Sequence, residues 1–339
     1  MTTILAEVTR GGAVESSHAG TIAVVDTNGR LVAWAGDPET FAYFRSSAKP
    51  FQAIPVIESG AADAYGFTPA ELALCCASHY AEPHHQQEVA AMLAKLGLNE
   101  EALRCGIALP GDEEEAARIL AGLVPRSPLQ CDCSGKHTGM LATCVHLGYP
   151  IESYLDPEHP LQRTIRGIIA EVCRVPERSL RLAADGCSVP TFGTSIRAFA
   201  TAYAALAQPE RVRAEAGGRH HVALYRLRNA MIAHPENVSG TGDLVTDLMA
   251  LAGGRIAAKS GAEGLICLAL PAHGLGVAIR IADGSFRALP VVVTGVIEQL
   301  QLIDSSVIGA LMERHRPEVR NHNGWHVGDM RAAFLLQTA

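Results

Sequence analysis

Apolar and polar residues alternate with a period of two at both ends of the chain, and recur with a period near 3.6 through its middle. The opening runs "TILAEVTR", "GTIAVVD" and "GRLVAWAG" read as strands, with Asn28-Gly29 as a hairpin turn between the last two. From Ser46 the pattern "SSAKPFQAIPVIESG" becomes helical, with Ser46 or its neighbour placed to cap and Gly60 to stop. Between about 66 and 250, "HQQEVAAMLAKLG", "DEEEAARILAGL", "KHTGMLATCVHLG", "PLQRTIRGIIAEVC", "PTFGTSIRAFATAYAALA" and "HVALYRLRNAMIAH" all predict helices. The acids from Asp112 to Glu115 suit the first turn of one of them. After about 255 the strand pattern returns in "GLICLALP", "LGVAIRIAD" and "FRALPVVVTG", with Asp283-Gly284 as a second hairpin turn. A last helix, "VTGVIEQLQLIDSSVIGALMERH", and a loop-like tail, "EVRNHNGWHVGDMRAA", follow. The expectation is an α+β fold in which N- and C-terminal strands form one antiparallel sheet packed with helices. Residues 1–65 and 255–339 would carry the sheet and 66–254 a mainly helical insertion, the whole acting as a single catalytic unit.

Composition narrows the function. With 48% hydrophobic residues, 19% charged and a net charge of -7, the 339-residue chain reads as a globular protein without a basic run for nucleic acid. The start "MTTILAEVTRGG" lacks the basic and apolar regions of a secretory signal, and "GLICLALPA" falls far short of the ~20 residues that span a bilayer. A cytoplasmic protein with no membrane partner is expected. The nine cysteines show no disulfide spacing and read as reduced thiols. Of 28 basic residues only Lys49, Lys95, Lys136 and Lys259 are lysine. Retained lysines in an arginine-rich chain point to work that arginine cannot do, since a desolvated amine can lose its proton. Lys95 lies on an evident helix and needs no such explanation.

Ser46 and Lys49 stand three residues apart, the spacing that puts two side chains on one helical face. A serine hydroxyl is a weak nucleophile until a base takes its proton, and a buried lysine whose pKa has fallen can be that base. The alternative is an ordinary helix start. Far downstream "KSGAEG", residues 259–264, places Lys259 and Gly261 on a strand, and Ser-x-x-Lys followed by Lys-Ser-Gly is the order used by serine β-lactamases and penicillin-binding proteins. Strand and helix together would then form an oxyanion hole. In "CCASHYAEPHH", Ser78 is either the proton-shuttling third member or a loop serine. "CDCSGKHTGM" and "DGCSVPTF" bring Cys133, Lys136, His137 and Cys187, types that suit a soft divalent metal, although lysine must be neutral to ligate. Cys131 is read as packing. Ser134-Gly135-Lys136 lacks the glycine-rich lead of a phosphate loop. Asp185 either holds an amino group or caps, and Arg45 either clamps a carboxylate or makes a surface ion pair.

Taken in order, "RGGAVESSHAG", "RSSAKPFQA", "ASHYAEPHH", "CSGKHTGML", "YLDPEHPLQ", "DGCSVPTF", "AHPENVSGTG" and "KSGAEG" resemble the Rhizobium etli-type, or class 3, L-asparaginases over about residues 7–325. That family is similar in fold to serine β-lactamases and glutaminases. The resemblance implies hydrolysis of L-asparagine to L-aspartate and ammonia through two Ser-Lys pairs, Ser46 with Lys49 and Ser78 with Lys259. It implies zinc on Cys133, Lys136 and Cys187 with a water completing the shell, Asp185 beside both metal and substrate, and a homodimer; Arg45, His137 and Gly261 are further candidates for substrate contacts. The chain departs from the family pattern at Cys131-Asp132, where a His-Asn pair often stands, and in "CGIALP" at 105–110, where a histidine is usual. Alternative readings are a glutaminase or another serine amidohydrolase, or an idle zinc- or amide-binding protein; retention of both serines and both lysines speaks for an enzyme.

Overall fold

The computed structural model describes residues 3–212, 218–315 and 318–339. It divides into two compact units. One comprises 1–47, 194–208 and 247–339; the other comprises 48–193 and 209–246.

The first unit is built on a nine-stranded sheet whose mapped pairings are antiparallel. Its order runs Glu318–Arg320, His326–Ala332, Thr3–Arg10, Ala13–Asp26, Leu275–Ile281, Leu265–Leu270 and Ala257–Gly261. Leu31–Ala35 pairs with Ala13–Asp26 and with Gln337–Thr338. All of Leu265–Leu270 is buried, as an unbroken apolar run requires. The helix Ile196–Ala207 lies against the sheet at Gly276, where an added Cβ would come within 2.0 Å of the Ala200 carbonyl oxygen. Only glycine permits that approach. Phe44 stacks on Phe199 of this helix with ring centroids 4.1 Å apart.

Three expectations are corrected here. "FRALPVVVTG" is not a strand: Pro290 opens the helix Leu289–Gln299, and its β-branched run is buried on a helix. The long last helix is two, Leu289–Gln299 and Ser305–His315. The tail is no loop, because Glu318–Arg320 and His326–Ala332 pair with each other and the latter extends the sheet beside Thr3–Arg10. Its polar alternation is that of an edge hairpin, which buries little apolar surface.

The second unit is mainly helical. Pro83–Lys95, Glu113–Leu120, Ser134–Leu147, Pro160–Cys173 and His221–Ala233 follow the predicted segments closely. Pro69–Cys75 is capped by a reciprocal Thr68–Glu71 box, and Asp112 accepts from the Glu115 N–H at 2.7 Å. Ser134–Leu147 crosses Pro69–Cys75 at Gly135 and Gly139, where an added Cβ would sit 2.4 Å from the Leu74 carbonyl oxygen and 2.9 Å from Cys75 Sγ. The segment read as one helix ending in "PTFGTSIRAFATAYAALA" instead opens as a strand, Pro190–Ser195, paired with Arg181–Ala184 before the helix begins. The helix expected after Ser46 is broken into Lys49–Gln52 and Ile54–Glu58, and no serine caps it. Pro50 and Pro55 each restart the turn, since neither donates an N–H. Among the described residues no helix is long and apolar enough to cross a membrane.

Candidate active site

In the helical unit, Lys49 is fully buried, and its Nζ donates to Ser78 Oγ at 2.8 Å and to Asp132 Oδ2 at 3.4 Å. Helical spacing assigned Lys49 to Ser46; its hydrogen bonds go to Ser78 and Asp132. Ser78 follows the helix Pro69–Cys75 on a strapped segment: its N–H donates to the Val238 carbonyl, His79 N–H to the Asp132 carbonyl and Tyr80 N–H to the Ser239 carbonyl. Buried His79 anchors the same segment, with Nε2 2.8 Å from Ser134 Oγ and Nδ1 accepting from the Ala81 N–H. Burial alone would pull the Lys49 amine down, as the sequence suggested, but the charges of Cys133 and Asp132 outweigh it and the net direction is up. The resting Lys49 is an ammonium that donates to the serine.

Beside this pair lies a buried cluster of thiols and an amine. Cys133 precedes the helix Ser134–Leu147, Lys136 sits in its first turn, and Cys187 lies in the turn that joins Arg181–Ala184 to Pro190–Ser195. All three are 5% exposed or less. Lys136 Nζ donates to Cys187 Sγ at 2.9 Å. Hydrogen bonds from Cys131 and Cys187 hold the Cys133 thiol well below its ordinary value despite burial, helped by Lys136 and Lys49. Burial lowers Lys136, yet Cys133, Cys187 and Asp185 together raise it. Asp185 occupies the hairpin turn, where its carboxylate accepts from the Gly186 N–H at 2.9 Å rather than capping a helix.

Two thiols and an amine converging in a buried pocket are a donor set of the right chemistry for zinc. With bonds of ~2.0 and ~2.3 Å, a tetrahedral ion separates a nitrogen and a sulfur donor by about 3.5 Å. The 2.9 Å contact of Lys136 and Cys187 is therefore that of a hydrogen bond, and it opens by roughly half an ångström if both ligate one ion. Donor atoms of Cys131, Asp132 and Cys133 also lie within 4.8 Å of one another, as do those of Glu82, His84 and His85. His137 is fully buried with Nδ1 2.7 Å from the Tyr154 hydroxyl. That hydroxyl also accepts from the Arg104 N–H at 2.9 Å. Nε2 has no partner among the described residues.

In the sheet unit, Ser47 rather than Ser46 is the buried serine, and its Oγ donates to the Lys259 carbonyl at 3.0 Å while its own carbonyl accepts from Tyr203 Oη. Ser46 is half-buried, beside Arg45 whose φ of +48° places a non-glycine residue in the left-handed region. Lys259 is fully buried on the strand Ala257–Gly261, and its Nζ donates to the Ser260 carbonyl at 3.0 Å. Gly261 passes so close to Ser47 that a Cβ would fall 3.0 Å from its Oγ. Sequence reasoning missed Asp132, Ser47 and Tyr154. Asp132 had a visible signal in its place beside Cys133; the tyrosine had none.

No curated protein matches the chain. Among solved structures it is similar to Mglu in its native form, at 16% identity and a TM-score of 0.40, over 84% of this chain and 65% of that one. It is also similar to a putative beta-lactamase from Bacteroides dorei DSM 17855, at 12% identity and a TM-score of 0.42 over 82% and 93%. A beta-lactamase (Mb2281c) from Mycobacterium bovis gives 14% and 0.39 over 87% and 94%. The chain spans less than two thirds of the length of Mglu. The profile of the family described as L-asparaginase II matches residues 6–332, and with nearly its whole length so matched, the chain belongs to that family.

Proposed function

We propose that the chain is an L-asparaginase, hydrolysing L-asparagine to L-aspartate and ammonia through an acyl ester on serine. The observation that carries this reading is the buried lysine amine held 2.8 Å from the Ser78 hydroxyl in a chain of the asparaginase family. A serine oxygen attacks the side-chain amide carbon; the C–O bond forms, the C–N bond breaks and the departing nitrogen takes a proton. Water then cleaves the ester. Lys49 in its neutral form accepts the hydroxyl proton and, once charged, returns it through Ser78. Ser46 and Lys259 are the remaining members of the two Ser-Lys pairs expected from the sequence, with backbone N–H groups near Ser46 and after Lys259 receiving the oxyanion. Arg45 takes the substrate α-carboxylate and Asp185 the α-amino group, while Nε2 of His137 and the backbone at Gly261 supply further contacts.

Cys133, Lys136 and Cys187 would hold zinc, which when bound fixes the positions of their loops by coordination. The amine–hydroxyl pair is what supplies base and nucleophile. The family resemblance further implies a homodimer.

The test is ammonia release from asparagine and glutamine by the wild type, Ser46→Ala and Ser78→Ala, with mass spectrometry of the trapped ester and elemental analysis for zinc. The reading expects release from asparagine and the ester on Ser46 or Ser78. Undiminished turnover in both variants would sink the serine mechanism; release from glutamine alone would replace the substrate.

A further inference from the structure

Asp132 has no role in the scheme above, yet two members of that scheme, Lys49 and Cys133, meet its carboxylate. Its Oδ2 accepts from Lys49 Nζ at 3.4 Å and lies 3.6 Å from Cys133 Sγ; its Oδ1 lies 3.8 Å from Cys131 Sγ. Its backbone carbonyl accepts from the N–H of His79, the residue after Ser78. The Asp132 side chain is half-exposed, whereas the lysine it faces is fully buried. A long lysine stem aimed at a small hydroxyl has no intrinsic reason to stay there. A carboxylate on the far side of the ammonium supplies one, because a charge-assisted bond in a partly desolvated site is stronger than a neutral one.

We infer that Asp132 is a positioning residue: its carboxylate holds the Lys49 amine on Ser78 Oγ. The inference rests on the proposed hydrolysis for its kinetic consequence, but not for its geometry. Besides Asp132, the titratable and charged groups acting on Lys49 are Cys133, Lys136, Cys187, His79 and His137. Asp132 and the two thiols favour the charged amine, while Lys136 disfavours it. Removing the carboxylate charge therefore lets Lys49 lose its proton at lower pH. Removing the side chain as well also releases the amine from its place.

The chain has only four lysines, so labelling with 13C,15N-lysine gives four ε-methylene signals that single Lys→Met replacements assign. In full-length Asp132→Asn, which keeps the shape, the Lys49 signal should titrate at lower pH while that of Lys95 stays in place. In turnover of asparagine, Asp132→Ala should lower kcat by roughly tenfold to a hundredfold at similar KM, the scale of a misplaced catalytic group. Asp132→Asn should recover part of that loss and move the acid limb of the profile to lower pH. A Lys49 titration unmoved in Asp132→Asn, or a wild-type kcat in Asp132→Ala, overturns the inference. If the wild type releases no ammonia, the proposed function fails and the lysine titration alone decides the role of Asp132.

Discussion

Acidification should destabilise the helical unit close to Ser78, and His85 allows the effect to be sized. The imidazole is fully buried; its Nδ1 accepts from the Glu82 N–H at 3.1 Å and its Nε2 meets the Glu236 carbonyl at 2.9 Å. Only the neutral Nε2–H tautomer satisfies both, since a proton on Nδ1 would face the Glu82 N–H. Burial pulls its pKa from 6.5 to about 4. Below pH 6.5 the unfolded chain thus binds a proton that the native chain refuses, and stability falls with pH until about pH 4. Between pH 7 and 5 the unfolded state gains about 2 kcal/mol from this one residue, while the native state gains almost nothing. His79, stacked on His85 with centroids 5.1 Å apart, and His137 are also pulled well down by burial and act in the same direction. Urea unfolding at pH 7, 6 and 5 measures the slope, and His85→Gln isolates the share of one residue. The variant should lose close to one proton's worth of pH dependence over this window. An identical slope in wild type and variant would refute the argument that the native fold holds His85 neutral.

Further outcomes follow from the packing and the charges. Gly135→Ala should cost about 1–3 kcal/mol in denaturant unfolding, because its Cβ would stand 2.4 Å from the Leu74 carbonyl oxygen and backbone has to move. Tyr154→Phe strips a hydroxyl from between His137 and the Arg104 N–H in a fully buried place and should cost about 1–3 kcal/mol, read the same way. Since the charges around Lys49 raise it, its neutral form grows only on the alkaline side, and kcat/KM for asparagine should climb with pH there; a maximum at acid pH would oppose Lys49 as the base. Cys187→Ser should lower zinc bound per chain after dialysis against a weak chelator, measured by elemental analysis.

Elements whose burial follows one face were legible in the chain, and those fixed by partners were not. Pro160–Cys173 and Thr3–Arg10 match their predicted segments residue for residue, because period, proline start and strand alternation agree. Leu289–Gln299 misled because β-branched residues buried on nearly every side leave no polar phase to read, so the run of valines looks like a strand. The edge hairpin at 318–332 misled for the opposite reason: it buries too little to show a pattern. At the candidate site the residue types were legible from their rarity, four lysines among 28 basic residues. The pairing was not. Three-residue spacing joined Lys49 to Ser46, but a fully buried side chain goes where its charge is answered, and that is Ser78 and Asp132, 29 and 83 residues away. Desolvation likewise suggested a lowered lysine, and only the thiol and carboxylate neighbours reverse the sign.

The crossing at Gly135 and Gly139 has a bearing on how such a site can change over generations. The helix that leads into Ser78 and the helix that leads out of Cys133 meet with Gly135 against the Leu74 backbone and Gly139 against the Cys75 and Val56 side chains, so at Gly135 their spacing does not depend on the choice of a rotamer. The hairpin turn bearing Asp185 and Cys187 is held by its own backbone bonds and by contacts of Cys187 with Lys136 and Cys133. Positions of that turn other than Asp185 and Cys187 can vary without spoiling the alignment of hydroxyl and amine. A change at Gly135 would shift both helices at once, so drift should be freer at those turn positions than at the crossing.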